Sequence, residues 1–82
     1  MITAMLLLDV AETIAAHSAC PGKPDEVRDA ILSGERISQD ADGALRNAVI
    51  SLCQTQRPRL SSSEIDEVLE QVFVDGGKRP TM

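Results

Sequence analysis

Two cysteines and one histidine are the side chains of this sequence best suited to covalent chemistry. His17 and Cys20 are three residues apart, a spacing that places both on one side of a helix. In nucleophilic catalysis a histidine in such a pair removes the proton of the thiol. No residue that would orient His17 is recognisable, and two ligands do not make a structural zinc site. A surface histidine at a helix end is therefore the simpler interpretation.

Cys20 and Cys53 form a candidate redox pair. Each lies near the end of a predicted helix, and in an up-down-up-down bundle those two ends lie together. The alternative is two ordinary thiols, with Cys53 packed as a small hydrophobic residue. The sequence has no Cys-x-x-Cys spacing, so we expect no thioredoxin-like motif, no metal site and no other cofactor.

Composition disfavours several classes of partner. The chain has 82 residues, and its 8 Lys and Arg against 13 Asp and Glu give a net charge of −5. Nucleic acid and anionic membrane surfaces are bound by clustered basic residues, so neither is an expected partner. Phe73 is the one aromatic residue, which leaves no platform for stacking bases. No apolar run approaches the roughly 20 residues of a membrane span, and we expect a cytoplasmic protein.

Four segments have a helical pattern of apolar residues, and no segment has a sustained strand pattern. The sequence therefore predicts an all-α fold: a small single-domain bundle of about four helices, three longer and one short. Irregular, orthogonal packing of the same helices is the alternative. The predicted domain spans residues 1–77, followed by a flexible tail. The helices are expected at about residues 2–18, 24–33, 38–54 and 61–75, and the tail at residues 78–82.

Capping residues indicate where these helices begin and end. Pro24 suits the first position of the second helix, and Gly34 suits its end. Ser38 is the expected N-cap of the third helix, although Gly43 inside the pattern also allows a start near residue 42. Ser61 and Glu64 have the spacing of a capping box at the start of the fourth helix, and Gly76–Gly77 are expected to close it.

Aliphatic residues outside the apolar stripes and an acidic helix face are the candidate contact surfaces. The acidic face belongs to the fourth helix and would suit a basic partner, although a solvated face is its ordinary explanation. Several exposed aliphatic residues in so small a chain favour a protein contact. The candidate interface residues are Leu8, Ile50, Val74, Glu64, Glu67 and Glu70.

The segment Asp40–Leu45 has two partial similarities to functional motifs. Asp40-x-Asp42-Gly43 begins like a calcium-binding loop, but the twelfth position is Ser51 where an EF-hand needs Glu. The segment also resembles the start of the modified-serine helix of acyl and peptidyl carrier proteins, which are acidic, four-helical and of similar length. Ala44 stands where that serine would be. The resemblance therefore implies a carrier-like helical domain without carrier activity.

The sequence predicts a small acidic non-catalytic protein–protein interaction module: a regulator, inhibitor, chaperone or accessory subunit. Its expected partner is another protein or a second copy of the chain, and we assign no catalytic residue. A helix-turn-helix DNA-binding regulator is an alternative, since the third helix offers Arg46, Asn47, Ser51 and Gln54. An enzyme that uses Cys20 or Cys53 is another.

Overall fold

The computed structural model describes residues 3–40 and 42–74, and the predicted all-α fold class is confirmed. Ile2, Gly76–Gly77 and the predicted tail lie outside the described residues. Within the described ranges, no helix has both the length and the apolar character needed to cross a bilayer. The four helices are α1 (Ala4–Ala16), α2 (Pro24–Leu32), α3 (Ala44–Gln54) and α4 (Ser62–Val72).

Helix α1 is the element against which α2 and α3 pack. It begins at Thr3, whose hydroxyl oxygen accepts a hydrogen bond from the Leu6 N–H at 3.1 Å. Leu6, Val10 and Ile14 bury one side of α1 against both neighbours, while α4 packs against α3. The most extensive contact is that between α1 and α2. Together with the connection of seven residues (17–23), this extensive contact indicates that α1 and α2 form a hairpin of antiparallel helices.

Helix α2 begins and ends as the sequence predicts. Pro24 occupies its first position, where the missing N–H costs nothing. At its end Gly34 adopts a left-handed φ of 90°, and its N–H donates to the Ile31 carbonyl at 3.1 Å. The Glu35 N–H donates to the Ala30 carbonyl at 2.9 Å, which completes a Schellman motif.

Helix α3 begins six residues later than Ser38, so the predicted N-cap is wrong. The start is set by Asp40, whose carboxylate accepts from the Ala44 and Leu45 N–H groups at 3.1 and 3.0 Å. Gly43 is buried directly before the helix with a φ of 71°, a left-handed conformation that favours glycine. The turn at Gly43 lets Asp40 reach forward, and residues 38–40 stay outside the helix.

Helix α4 begins at the predicted capping box and ends earlier than predicted. The Glu64 N–H donates to the Ser61 hydroxyl at 3.3 Å, and the Ser61 N–H donates to the Glu64 carboxylate at 3.0 Å. The last helical residue is Val72 rather than residue 75, because Phe73 turns extended with φ −109° and ψ 140°. Phe73 thus leaves the helix to pair with a distant segment.

That pairing joins Ile37, in the α2–α3 connection, to residues Val72–Val74; we call it the Ile37 clasp. The Ile37 N–H donates to the Val72 carbonyl, and the Val74 N–H donates to the Ile37 carbonyl, both at 2.9 Å. Ile37 and Phe73 form a parallel bridge, and both side chains are buried. Nearby, the Arg36 Nε donates to the Glu70 carbonyl at 2.8 Å. The clasp therefore fixes the α2–α3 connection to the end of α4.

The core is contributed by all four helices and by the clasp. Every helix buries one stripe, as its periodicity predicts, and the clasp adds the one aromatic ring. The buried residues are Leu6, Val10, Ala11, Ile14, Val27, Ile31, Ile37, Leu45, Val49, Cys53, Val68, Leu69, Val72 and Phe73.

Candidate protein-interaction surface

The two cysteines are free thiols in different surroundings. Cys53 is fully buried in α3, and this burial raises the pKa of its thiol. A raised pKa keeps the sulfur protonated and poorly nucleophilic, which suits a small core residue. Cys20 is half-buried and packs against the core just after α1. Their redox pairing stays a prediction.

His17 caps the end of α1 and shapes the turn that follows. Its Nδ1 accepts a hydrogen bond from the Ala19 N–H at 3.0 Å, and its carbonyl accepts from the Cys20 N–H at 3.1 Å. A nitrogen that accepts a hydrogen bond carries no proton, so the neutral ring has its proton on Nε2. Across residues 3–40 and 42–74, no three His, Cys, Asp or Glu side chains are grouped closely enough to hold a metal ion.

The three aliphatic interface candidates differ in exposure. Val74 is 66% exposed and Leu8 is 40% exposed, although the backbone of Val74 belongs to the Ile37 clasp. Ile50 is half-buried and packs against the core, so it offers little free surface.

The acidic candidates Glu64, Glu67 and Glu70 are all exposed on α4. Glu64 is engaged in the capping box, and hydrogen bonds from the Ser61 backbone and hydroxyl groups lower the pKa of its carboxyl. The Glu70 backbone carbonyl accepts from Arg36, a cation that lies on the same surface. The positive charge of Arg36 next to the acidic face reduces the attraction of this face for a basic partner. The use of the Glu64 carboxylate for capping reduces it further.

Two further exposed aliphatic residues, Met5 and Leu32, are absent from the predicted interface. Met5 is 79% exposed near the start of α1, and Leu32 is 41% exposed at the end of α2. Leu32 could have been found in the sequence, because it lies one residue past the buried Ile31 and off the stripe of α2. Met5 could also have been found, because at about 100° per residue it lies opposite the centre of the apolar arc of α1, on the same side as Glu12.

An open groove of about 610 Å³ runs between the outer sides of α1 and α2. Its walls come from the second half of α1 and the first half of α2. The lining residues are Glu12, Ala15, Ala16, Pro24 and Arg28.

Exposed apolar residues lie at helical spacing from the groove residues on both helices and extend the groove at one end. Leu8 lies one turn before Glu12 on α1, and Leu32 lies one turn after Arg28 on α2. In an antiparallel hairpin these spacings put both leucines at the same end of the groove. Met5 precedes Leu8 by three residues and extends the apolar end. We call the surface made by the groove, Met5, Leu8 and Leu32 the hairpin face.

The hairpin face carries one acidic and one basic side chain on opposite walls. Glu12, on α1, is exposed and has no ion-pair partner among the described residues. Arg28, on α2, is half-buried, and its Nη2 lies 3.5 Å from the carboxylate of Asp29, its chain neighbour. A pair between chain neighbours that both remain accessible to solvent holds Arg28 weakly. Both charges on the walls are therefore available to a bound molecule.

A second, smaller cleft of about 280 Å³ lies between the start of α2 and the Ile37 clasp. Its floor is formed by Val27 and Ile37, and Lys23 and Glu26 stand at its mouth. Val27 and Ile37 belong to the core, so the cleft offers less apolar surface than the hairpin face does.

The outer side of α3 carries the residues proposed for DNA reading. Asn47, Ser51 and Gln54 are exposed, and the Asp40 carboxylate lies at the start of the helix. The DNA-binding alternative stays a prediction. Ala44 is the first residue of α3, the place that a carrier protein's serine would take by the resemblance noted above. Comparisons with protein-family models, with curated proteins and with solved structures find no match for this chain.

Proposed function

We propose that this chain is a small non-catalytic protein-interaction module that binds its partner through the hairpin face. One observation carries the proposal: three of the four large exposed aliphatic residues in the described chain, Met5, Leu8 and Leu32, have helical spacings that extend the groove of Glu12 and Arg28. Single exposed aliphatic residues are ordinary, whereas a group of them beside a groove is typical of binding surfaces.

The hairpin face would supply apolar contacts to a partner, and its charged residues would orient that partner. Leu8 and Leu32 would lose their remaining exposure when covered, and each fully buried leucine stabilises a complex by about 1.5–3 kcal/mol relative to an exposed one. Leu8 is only 40% exposed and Leu32 only 41%, so covering either one contributes less, roughly 0.6–1.2 kcal/mol. Glu12 and Arg28 would fix the register of the partner by pairing with opposite charges.

The thiols support a non-catalytic function. The buried, protonated Cys53 has neither the access nor the thiolate character of a nucleophile. Cys20 and Cys53 as free thiols suit a reducing compartment, and we propose a cytoplasmic location.

The test is affinity capture from source-cell lysate with nuclease and reductant, read by mass spectrometry. The bait is the 82-residue chain, compared with a Leu8→Glu/Leu32→Glu double variant. Both positions are about 60% buried by neighbours, so circular dichroism first establishes that the variant keeps its helices. We expect the wild type to retain a protein, a second copy of the chain included, that the double variant loses by tenfold or more.

The matched control is Val74→Glu, the same substitution at an exposed aliphatic residue on another surface. We expect it to retain the partner as the wild type does. Loss of the partner with Val74→Glu and retention with the double variant would move the interface to the surface around the Ile37 clasp. Equal retention by all three baits would remove the hairpin face as the binding surface.

A further inference from the structure

The charged and apolar groups of the hairpin face can pair with the same groups on a second copy of the chain. This self-complementarity indicates which partner the face binds. Glu12 and Arg28 line the groove from different helices. Each is four residues, about one turn, from the helix end that borders the α1–α2 connection, so an antiparallel hairpin puts the two at about the same level. A twofold axis running along the groove would lay α1 of one copy across α2 of the other. Each Glu12 would then face an Arg28 of opposite charge. Leu8 of one copy would meet Leu32 of the other by the same operation.

We infer that the hairpin face is closed by a second copy of this chain, in a twofold dimer. The inference rests on the proposed function, because it names the partner of the same surface. The two Glu12–Arg28 pairs would form across the interface at its middle. The apolar contact at one end of the groove would join Met5, Leu8 and Leu32 of both copies.

The size of the face sets the expected strength of association. Helix α1 has 13 residues, and at about 1.5 Å per residue its length is roughly 20 Å. Two helices side by side give a projected area on the order of 400 Å², about half of the roughly 800 Å² per partner in a standard interface. An interface of this size is at the weak end of specific protein contacts, so we expect a weak, concentration-dependent dimer.

The experiment is sedimentation equilibrium of the full chain under reductant, over a concentration series from about 5 to 500 µM, a range in which weak association is measurable. The reductant excludes dimers linked through Cys20. We expect the apparent mass to rise with concentration from 8.8 kDa toward twice that value. Glu12→Arg and Arg28→Glu should each weaken association about tenfold, because each substitution makes both symmetric pairs repulsive.

The double exchange Glu12→Arg/Arg28→Glu restores opposite charges and should recover association to within about threefold of the wild type. Asp66→Arg, a charge reversal at an exposed position of α4, is the control that should leave association unchanged. Leu32→Glu supplies a second test at the apolar end of the face, should a charge variant lose its helices. Its expected effect is a loss of tenfold or more.

Each outcome decides between the dimer and other occupants of the face. A wild type that stays at 8.8 kDa up to 500 µM overturns the dimer. If that monomer still captures a different protein that Leu8→Glu/Leu32→Glu loses, the proposed function stands and only the second copy is wrong. A monomer that captures nothing overturns both. A dimer that ignores the charge reversals, or is not restored by the double exchange, forms through another surface.

Discussion

The two connections on either side of α3 are held in place by different kinds of contact. Residues 33–43, between α2 and α3, place Ile37 in the core and bind its backbone to the end of α4. Residues 55–61, between α3 and α4, are mostly exposed, and their bonds are local. Thr55 illustrates this, since its hydroxyl donates to the Leu52 carbonyl at 2.8 Å. The basic residues Arg57 and Arg59 are exposed.

The difference shows that length and polarity do not tell how much a connection contributes to stability. The α2–α3 connection is mostly polar in sequence. Its single buried aliphatic residue, Ile37, nevertheless joins the connection to the end of α4, which is distant along the chain. The α3–α4 connection contains Leu60, which is half-buried and packs against the core from one side. Because Ile37 is buried and makes long-range hydrogen bonds, we expect the α2–α3 connection to contribute more to the stability of the fold than the α3–α4 connection does.

The largest expected effect follows from removing the side chain of Ile37. Ile37→Ala should lower the free energy of unfolding by about 2–4 kcal/mol, because it leaves a cavity beside Phe73. Leu60→Ala, the matched substitution in the other connection, should cost about 1 kcal/mol or less, because that residue is only half-buried. Urea denaturation at pH 7 measures both. Equal losses of unfolding free energy would mean that the two connections contribute equally to stability.

The next effect concerns the two helix starts that these connections supply. Asp40→Ala removes two charge-assisted hydrogen bonds at the start of α3 and should cost about 1–2 kcal/mol. Ser61→Ala removes one bond of 3.3 Å at the exposed start of α4 and should cost about 0.5–1 kcal/mol. The same denaturation experiment ranks them. A larger loss of unfolding free energy for Ser61→Ala than for Asp40→Ala would contradict the expectation that the α2–α3 connection contributes more to stability.

The smallest effect is an acid-dependent loss of stability. Hydrogen bonds from the backbone of Leu45 and Ala44 lower the pKa of Asp40 below 3.8, and those from Ser61 lower the pKa of Glu64 below 4.5. A carboxyl whose folded pKa is depressed stabilises the fold above its unfolded pKa and loses that contribution as pH falls through the folded value. Stability should therefore decline below about pH 4.5.

Two isosteric variants separate the carboxyls in a pH series of denaturation curves from pH 7 to pH 2. Asp40→Asn should flatten the decline below pH 3.8, and Glu64→Gln should flatten the part that begins near pH 4.5. A decline that keeps its full slope in Asp40→Asn/Glu64→Gln would assign the acid sensitivity to other carboxyls.

Local signals in the sequence were sufficient for some elements and insufficient for others. The capping box of Ser61 and Glu64 and the Gly34 stop involve residues within a few positions of each other, and both predictions are confirmed. The start of α3 depends on Asp40 reaching four and five residues ahead past a left-handed glycine, which no helical periodicity indicates. The end of α4 depends on Ile37, which is 36 residues away from Phe73.

The candidate surface was predictable only in part. Leu8 and Val74 are exposed as expected from their positions off the apolar stripes, whereas Ile50 is half-buried and packs against the core. Met5 and Leu32 become significant only when α1 and α2 are placed side by side. A binding face formed by two helices depends on how they pack, and the sequence of either helix alone does not contain that arrangement.

The Ile37 clasp also constrains the order in which this protein is completed during synthesis. The chain emerges from the ribosome from its N-terminus, so α1, α2 and α3 are available before Val72 and Phe73 exist. Until those residues are exposed, Ile37 has neither its hydrogen-bond partners nor the aromatic ring against which it is buried. The part of the α2–α3 connection around Ile37 is therefore expected to be among the last parts of the fold to become ordered, although it lies near the middle of the chain.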